Sequence, residues 1–379
     1  MAGLFAILAL ALGLHDTQAA APAPAARPIA PAPRVSTEPR AGTTQAHGQG
    51  AAVPRSTVKL LGQRIMVGMG GTSPGPALLR SVREGRVGSV ILFAANIGSR
   101  AQLRSLTGAL QGAARAGGNP PVLIAVDQEG GEVKRLANGP PDLAPPQMVA
   151  SGPPALAGHE GRATGQYLRG LGINWDLAPV SDVPTFSGAF IWQQGRAFSF
   201  NSHTVASYAS QFALGLQTEG VGATAKHFPG VGSAPVETDN RLQQLHPTSR
   251  QLAAALDPYR AMIPRGLDAV MLSTAGFRAY DRTGTLAAFS RTIVQHLLRG
   301  QLRFGGVTIT DSLTGPPIGH DPVTAGVLAA RAGVDVLLYT DSATGALGAL
   351  QSALASGRLS HAEAVASYTR IVALKRRVG

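Results

Sequence analysis

The 379-residue sequence contains no cysteine. A disulfide, a thiolate metal site, a cysteine nucleophile and a lipid-modified N-terminal cysteine are therefore all excluded. The sequence also lacks metal-ligand spacings such as HExxH and the phosphate loops GxGxxG and GxxxxGK[ST]. The sequence therefore carries no local signature of a metalloenzyme or of a phosphate-binding enzyme of these types.

Basic side chains outnumber acidic ones by 33 to 21, which gives a formal net charge of +12. This charge favours electrostatic association with a polyanion such as an anionic cell wall. A compositional bias toward alanine and arginine explains the same charge, because the basic residues are scattered along the chain. No run of five or more Lys or Arg and no aromatic-interleaved basic patch occurs, so we expect no nucleic-acid partner.

The N-terminus resembles an export signal. In residues 1–20 an apolar run from residue 4 to residue 14 precedes polar and then small residues, as in a secretory signal, although no Lys or Arg comes before the run. The run is too short to span a bilayer. Residues 21–56 are dominated by Pro, Ala, Gly and Thr, which predicts a disordered linker. We expect an exported protein that is extracellular or associated with the cell wall.

From residue 57 to residue 379, short apolar runs alternate with longer amphipathic stretches. The predicted strands are 65–69, 89–93, 122–126, 174–179, 223–228, 269–273, 307–310 and 334–339. The predicted helices include 100–114, 156–171, 202–219, 291–302, 321–332 and 361–377. This alternation, with near-continuous apolar strands, indicates a parallel sheet covered by helices. Eight units favour a single α/β domain with a closed (β/α)8 TIM-type barrel over an open doubly wound sheet.

Polar residues cluster at the ends of the predicted strands, where the sites of barrel proteins form. The segment ATAKHFPGVGSAPVETDN (223–240) places Lys226 beside His227 and then adds two carboxylates, Glu237 and Asp239. A cation, an imidazole and two carboxylates at a strand end favour a site for a polar, neutral ligand. Asp311 directly follows an apolar run, so it is interpreted either as a carboxylate nucleophile or as the N-cap of the next helix.

The segment VDQEGGEVKRL (126–136) adds a candidate sugar contact. In this segment Asp127 is expected to accept hydrogen bonds from paired sugar hydroxyls. Arg135, Arg196 and Lys226 are expected to supply hydrogen-bond donors around the same ligand.

With these residues the sequence resembles the N-terminal barrel domain of glycoside hydrolase family 3, and most of all its bacterial β-N-acetylglucosaminidase branch. The resemblance covers about residues 58–374 and depends on ILFAANI (91–97), VDQEGGEVKRL (126–136), INWDLAPVSDV (173–183), GRAFSFN (195–201), AKHFPGVG (225–232) and TITDSL (308–313). It implies a retaining mechanism with Asp311 as nucleophile and no metal or organic cofactor. It also implies that the sugar is held by Asp127, Arg135, Arg196, Lys226 and His227.

The sequence departs from the pattern of this branch at the acid/base. The branch usually reads KHFPGHGDTxxDSH, in which the last histidine is the acid/base and is oriented by the aspartate two residues earlier. Here Glu237 falls at the position of that aspartate and Asp239 at the position of that histidine. Glu132, Thr274 and Ala95 replace an arginine, a histidine and an arginine that are usual in the family.

Three interpretations follow from these departures: Asp239 is the acid/base, Glu237 is the acid/base, or the barrel binds sugar or peptidoglycan with weak or lost activity. The leading hypothesis is an exported, monomeric, retaining exo-glycosidase. Its carbohydrate substrate is a terminal β-linked N-acetylglucosamine on cell-wall fragments or glycoconjugates. A β-glucosidase is a further alternative, and it is disfavoured because the chain ends soon after the barrel.

Overall fold

Eight parallel strands form the centre of the fold, in a computed structural model that describes residues 53–315, 318–341 and 343–379. They are β1 (Ile65–Val67), β2 (Ser89–Leu92), β3 (Leu123–Val126), β4 (Trp175–Asp176), β5 (Gly222–Phe228), β6 (Ala269–Leu272), β7 (Val307–Thr310) and β8 (Leu337–Tyr339). The predicted export signal and the linker up to residue 52 lie outside the described residues. No helix in the described ranges combines the length and the apolar character needed to cross a bilayer.

The sheet closes on itself. Its strand order is β7-β6-β5-β4-β3-β2-β1-β8, so the first and last strands of this order are consecutive in the chain. Ile309 of β7 forms a parallel bridge with Val336, and the Leu313 N–H donates to the Leu338 carbonyl. The predicted (β/α)8 barrel is therefore confirmed, and the open doubly wound sheet is excluded.

Helices surround the strands. They are α1 (Thr57–Gly62), α2 (Pro76–Arg83), α3 (Arg100–Ala116), α4 (Pro145–Ser151), α5 (Ala155–Arg169), α6 (Phe190–Gln193), α7 (Ser202–Thr218), α8 (Ser249–Ala255), α9 (Asp257–Met262), α10 (Thr292–Gln301, wound as a π-helix), α11 (Pro322–Ala332), α12 (Ala346–Ala355) and α13 (His361–Val378). Short 3-10 turns span Ala94–Asn96, Ile263–Arg265 and Ala287–Phe289.

The start of α3 shows how local sequence forms these helices. The Ser99 hydroxyl accepts from the Gln102 N–H at 3.1 Å, and the Gln102 side chain accepts in return from the Ser99 N–H. This reciprocal cap satisfies donors that the first turn leaves unpaired. Leu103, Leu106 and Leu110 follow at helical spacing and are buried against the sheet.

The interior of the barrel is filled by apolar side chains from all the strands except β5, and by residues next to the strands. They are Met66, Ile91, Leu123, Ala125, Trp175, Leu177, Ala269, Met271, Val307, Ile309, Val336 and Leu338. The barrel is thus a packed core rather than a pore, and its free volume lies at the ends of the strands.

The last helix, α13, covers the N-terminal end of the barrel. Ile371 and Leu374 join the interior cluster. The buried Lys375 ammonium donates to the Gln63 side chain at 2.6 Å and to the Gly88 carbonyl at 2.7 Å, just before β1 and β2. This cover leaves the C-terminal end as the open mouth of the barrel.

Strand β4 is shorter than the sequence predicts, two residues instead of 174–179. Pro179 has no N–H to donate to a strand ladder, so regular pairing ends before it. The next residue, Val180, returns to the sheet through a single bridge with Lys226 of β5. The chain thereby bends over the barrel mouth and brings Asp182 close to β5.

Candidate active site

A cavity of about 510 Å³, partly open to solvent, lies at the C-terminal mouth of the barrel. Asp127 follows β3, Lys226 and His227 end β5, and Asp311 follows β7, so the strand ends deliver these four side chains. All eight residues that the sequence singles out line this cavity: Asp127, Arg135, Arg196, Lys226, His227, Glu237, Asp239 and Asp311. The fold thus brings together residues that are up to 184 positions apart, from 127 to 311.

Lys226 is the centre of the charged cluster on the floor of this cavity. Its ammonium lies 2.7 Å from Asp127 Oδ1 and 2.6 Å from Glu129 Oε1. Arg135 approaches the other oxygen of Asp127 at 3.6 Å. Burial alone would lower the pKa of Lys226, but the Asp127 and Glu129 charges outweigh burial and raise it. Lys226 is therefore a fixed cation that holds the Asp127 carboxylate in place.

Glu129 is the residue that sequence reasoning missed. Its carboxylate faces the Arg196 guanidinium in a fork-to-fork pair, with Nε–Oε2 at 2.6 Å and Nη2–Oε1 at 3.0 Å. Burial raises the pKa of Glu129, but the Arg196 and Lys226 charges reverse this effect and hold it at about 2. The signal was present in the sequence, because Asp127 and Glu129 stand two positions apart in an extended segment and so share a face.

Gln128 begins a short strand, Gln128–Gly130, that follows Asp127 and contains Glu129. Its backbone N–H donates to Asp176 Oδ1 at 3.0 Å, below the cavity. Its side chain accepts from the Leu136 N–H at 2.9 Å and donates to the Pro140 carbonyl at 2.8 Å. Burial raises the pKa of Asp176 well above its usual range, which favours the protonated form of this carboxyl group. The backbone on both sides of Gln128 is therefore held independently of any ligand.

His227 is oriented by Asp182. Its Nδ1 lies 2.7 Å from Asp182 Oδ2, and the Val231 N–H donates to Asp182 Oδ1 at 2.7 Å. Burial lowers the pKa of His227, but the Asp182 carboxylate, with a smaller contribution from Asp311, raises it above the ordinary value. An imidazole held in this way favours the protonated form and presents a donor to the cavity.

Glu237 is held by donors at both carboxylate oxygens. Gln194 donates to Oε1 at 3.2 Å, and Asn240 donates to Oε2 at 2.9 Å. Arg196 Nη1 lies 3.8 Å from the same Oε1. This arrangement ties Glu237 to the wall of the cavity.

Asp239 is in a different environment, although it is only two residues further on. Its side chain faces the open mouth, where water reaches it. The nearby charge of Asp311, followed by partial desolvation, raises the pKa of Asp239 to about 7, and His227 opposes this shift. A carboxyl group that keeps its proton near neutral pH beside a second carboxylate is a potential proton donor.

Asp311 does not cap a helix, as one interpretation of the sequence expected. Its Oδ1 accepts from the adjacent Ser312 N–H at 2.8 Å, and its side chain is 9% exposed in the cavity wall. The next long helix, α11, begins instead with Asp321 as its cap. The helix-capping interpretation of Asp311 is therefore wrong, and no donor among the described residues bonds to its second carboxylate oxygen.

The described residues contain no group of three or more His, Asp or Glu side chains arranged to hold a metal ion. The carboxylates of the cavity floor are instead neutralised by Lys226 and Arg196.

A parallel (β/α)8 barrel with an ionisable cavity at its C-terminal mouth has the architecture and site position of barrel enzymes. The chain belongs to glycosyl hydrolase family 3: the model of the Glycosyl hydrolase family 3 N terminal domain matches residues 59–374. The resemblance inferred from sequence motifs is thereby confirmed.

Two curated relatives illustrate the similarity. A protein of Arthroderma benhamiae named "uncharacterized secreted glycosyl hydrolase" is 35% identical over 334 residues, which cover 84% of this chain and 92% of the relative. A β-hexosaminidase of Pseudomonas aeruginosa PAO1 is 33% identical over 295 residues, 76% of this chain and 86% of the relative.

Solved structures agree with this assignment. A family 3 β-N-acetylglucosaminidase from Paenibacillus superposes with a TM-score of 0.82 at 33% identity, over 85% of this chain. The match spans 62% of that longer chain. A β-N-acetylhexosaminidase from Beutenbergia cavernae superposes with a TM-score of 0.77 at 31% identity and covers 86% of this chain and 99% of that chain.

Proposed function

We propose that the protein is an exported, retaining exo-glycosidase that hydrolyses terminal β-linked N-acetylglucosamine from cell-wall fragments or glycoconjugates. One observation carries this proposal: Asp311 and Asp239 line the same cavity, and the charge of Asp311 raises the pKa of Asp239 to about 7. Two carboxyl groups in different protonation states are what a two-carboxylate glycosidase needs. The relatives named as β-hexosaminidases support the choice of sugar.

The proposed chemistry has two steps. In the first, an Asp311 oxygen attacks the anomeric carbon while the glycosidic C–O bond breaks and the leaving oxygen takes the proton of Asp239. In the second, the Asp239 carboxylate takes a proton from water, and the water oxygen displaces Asp311 from the anomeric carbon. Two inversions give net retention of configuration, and both carboxyl groups return to their starting states.

The sugar is proposed to be held by the charged floor of the cavity. Asp127 accepts from adjacent hydroxyls, with Lys226 and Arg135 donating around it, since all three are already held by ion pairs. Arg196 and His227 donate to the remaining oxygens of the ring. A floor that is organised before substrate arrives reduces the entropy lost on binding.

Asp239 is proposed as the acid/base rather than Glu237. Both Glu237 oxygens already accept hydrogen bonds, and Arg196 Nη1 lies 3.8 Å from Oε1. Asp239 accepts no hydrogen bond from the described residues, so its carboxyl group is free to approach a glycosidic oxygen.

Hydrolysis of an aryl β-N-acetylglucosaminide by residues 53–379 tests the proposal. We expect turnover by the wild type, none by Asp311→Asn, and little on the matching aryl β-glucoside. An activated fluorinated analogue of the sugar should leave a covalent adduct on Asp311, detected by mass spectrometry. Sugar binding without release of the aryl group would identify a sugar-binding barrel instead. Faster release from the glucoside would identify a β-glucosidase.

Export is proposed from the sequence of residues 1–20 and from the similarity to a relative named as secreted. The net charge of +12 supports association with an anionic wall after export. Fractionation of expressing cells tests both points: we expect the protein outside the membrane, and release from the wall by salt. A protein found entirely within the cell would contradict export.

A further inference from the structure

Charge is divided between the two ends of the barrel. In a parallel barrel the helix-to-strand connections lie at the closed end, which α13 covers, and the strand-to-helix connections lie at the mouth. Exposed arginines occupy the last turns of helices and the connections that follow them at the closed end. These closed-end arginines are Arg83, Arg86, Arg115, Arg169, Arg265, Arg303, Arg331, Arg358, Arg376 and Arg377.

Few acidic side chains accompany the closed-end arginines. Within the described residues, the same helix ends and connections carry Glu84, Glu219 and Asp268 at the surface. Glu84 is paired with Arg86, and Asp268 is paired with Arg377. A further acid at this end, Asp335, is fully buried in ion pairs of its own. The closed end therefore keeps a large excess of positive charge at its surface.

The mouth has the opposite balance. The acidic side chains in its strand-to-helix connections are Asp127, Glu129, Glu132, Asp142, Asp182, Glu237, Asp239, Asp281, Asp311, Asp321 and Asp341. The basic ones in the same connections are Lys134, Arg135, Arg196, Arg241, Arg278, Arg282 and Arg291. Between the two sets of connections, the positive excess thus lies at the end opposite the candidate active site.

Several closed-end arginines are neighbours around the barrel. Arg115 precedes β3, Arg83 and Arg86 precede β2, and Arg331 precedes β8. The sheet order β3-β2-β1-β8 places these connections next to one another. The arginines therefore form one side of a continuous basic face rather than isolated surface charges.

The helix dipole explains only part of this pattern. A basic residue in the last turn of a helix is stabilised by the partial negative charge of the carbonyl groups there. Arg86, Arg303 and Arg358, however, lie in connections outside the helices. The excess of arginine at the closed end therefore exceeds what helix stability requires, which indicates an interaction surface for an anion.

We propose that the closed end of the barrel docks on a hydrated, phosphate-rich polymer of the cell wall and holds the mouth away from it. The inference rests on the export step of the proposed function, because export places the protein beside wall polymers. Each exposed guanidinium suits a phosphate group, since it presents two N–H donors to two oxygens. The polymer attracts the closed end and repels the acidic mouth, so the candidate active site stays open.

The apolar surface favours a polymer over a lipid bilayer as the partner. Large apolar side chains that the described residues expose are Val53, Phe186, Phe200, Leu214, Val236 and Leu242. None of these six lies in a helix-to-strand connection. A face without apolar anchors gains little from the acyl region of a bilayer, whereas its charges pair equally well with a polymer in water.

Two triple variants of equal charge test the inference. The closed-end variant carries Arg83→Gln, Arg115→Gln and Arg331→Gln. The mouth-side variant carries Arg250→Gln, Arg278→Gln and Arg282→Gln, which are also exposed. Each variant loses three positive charges, so a response to overall charge alone would be equal in both.

Binding to immobilised linear polyphosphate is the measurement. At low salt we expect the closed-end variant to bind at least about tenfold more weakly than the wild type, and the mouth-side variant to stay within about twofold. The slope of log affinity against log salt should also become shallower by about two to three in the closed-end variant. Equal losses in the two variants would overturn the inference, as would tighter binding of the wild type to phosphatidylglycerol vesicles than to polyphosphate.

A footprint on the wild type decides the matter if a variant does not fold. An arginine-selective dicarbonyl reagent modifies exposed guanidinium groups, and mass spectrometry locates the modified residues. We expect polyphosphate to protect Arg83, Arg115 and Arg331 and to leave Arg278 and Arg282 reactive. Equal protection at both ends of the barrel would contradict a docking face at the closed end.

Hydrolysis of the aryl β-N-acetylglucosaminide separates failure of this inference from failure of the proposed function. The closed-end variant should keep kcat/KM for this soluble substrate within about twofold of the wild type, because its three substitutions lie at the end of the barrel away from the cavity. Turnover without localised polymer binding overturns the inference and leaves the glycosidase assignment intact. Localised polymer binding without turnover overturns the glycosidase assignment and leaves the docking face intact.

Discussion

Arg196 and Glu129 form a buried ion pair in which two guanidinium nitrogens meet two carboxylate oxygens at 2.6 and 3.0 Å. Both side chains are almost fully buried, and Glu129 also neutralises Lys226. Glu129 and Asp127 therefore hold two cations, Arg196 and Lys226, in the buried floor of the cavity without any ligand. Removal of one partner from such a buried pair lowers the free energy of unfolding far more than the same change in an exposed pair.

Glu129→Gln should destabilise the fold and weaken sugar binding. The substitution keeps the shape but leaves Arg196 and Lys226 with one carboxylate fewer, so we expect the free energy of unfolding to fall by about 3 kcal/mol. KM for the aryl glycoside should rise as well. Urea unfolding and steady-state kinetics measure the two effects. Glu132→Gln, an identical change at an exposed residue nearby, should shift stability by less than about 0.5 kcal/mol. Equal effects of the two substitutions would contradict the assigned role of Glu129.

Asp311→Asn should lower the pKa of Asp239. The charge of Asp311 is the largest cause of the raised value of about 7, and its removal should bring the pKa down toward the ordinary 3.8. A carboxyl-carbon NMR titration of the inactive variant follows this shift directly. Glu237→Gln is the matched comparison, because Glu237 contributes to the same shift less than Asp311 does. If the pKa of Asp239 falls further in Glu237→Gln than in Asp311→Asn, Asp311 is not the main cause of the raised pKa, and the prediction is contradicted.

As the proton donor, Asp239 should control how kcat/KM changes with pH and with the leaving group of the substrate. Activity needs its protonated form, so kcat/KM should fall about tenfold per pH unit above pH 7, where the carboxyl loses its proton. Asp239→Asn should remove this fall in kcat/KM above pH 7. It should also slow substrates with poor leaving groups by about 10²–10⁴-fold and activated aryl glycosides much less, because only the former need protonation.

Glu237→Gln is the control for this assignment, since Glu237 lines the same cavity. We expect this variant to keep the fall in kcat/KM above pH 7. It should slow substrates with good and poor leaving groups by similar factors. If Glu237→Gln shows the dependence on leaving group and Asp239→Asn does not, the two roles must be exchanged.

Lys375 is buried at the closed end of the barrel, and it should make the free energy of unfolding depend on pH. Burial lowers the pKa of Lys375 from 10.5 to about 7, so between these two values the unfolded chain binds a proton that the folded protein does not. Stability supplied by this residue therefore rises with pH across that window and is lowest below it. The free energy of unfolding of the wild type, relative to Lys375→Met, should increase from pH 7 to pH 10.

Lys59→Met provides the comparison for this prediction. Lys59 also donates to a backbone carbonyl, that of Gly117 at 2.8 Å, but at a half-buried position. We expect no comparable pH dependence in the difference between Lys59→Met and the wild type. Urea unfolding at a series of pH values measures both differences, and parallel curves for the two variants would contradict the prediction.

The sequence by itself determined the strands and the positions of most site residues. A run such as SVILF predicts a strand at 89–93 and the structure has one at Ser89–Leu92, because strands buried on both faces must be apolar nearly throughout. The same logic placed Asp127 and Asp311, since a polar residue that ends an apolar strand lies at the rim of the barrel.

Only the tertiary structure decided how these residues act together. Glu129 and Arg196 are 67 positions apart, and Lys226 and Asp127 are 99 positions apart, so no local pattern reports that they pair. The proton on Asp239 depends on its distance to Asp311 and on its exposure to water. Charge interactions act through space and depend on burial, and the chain acquires both properties only when the barrel closes.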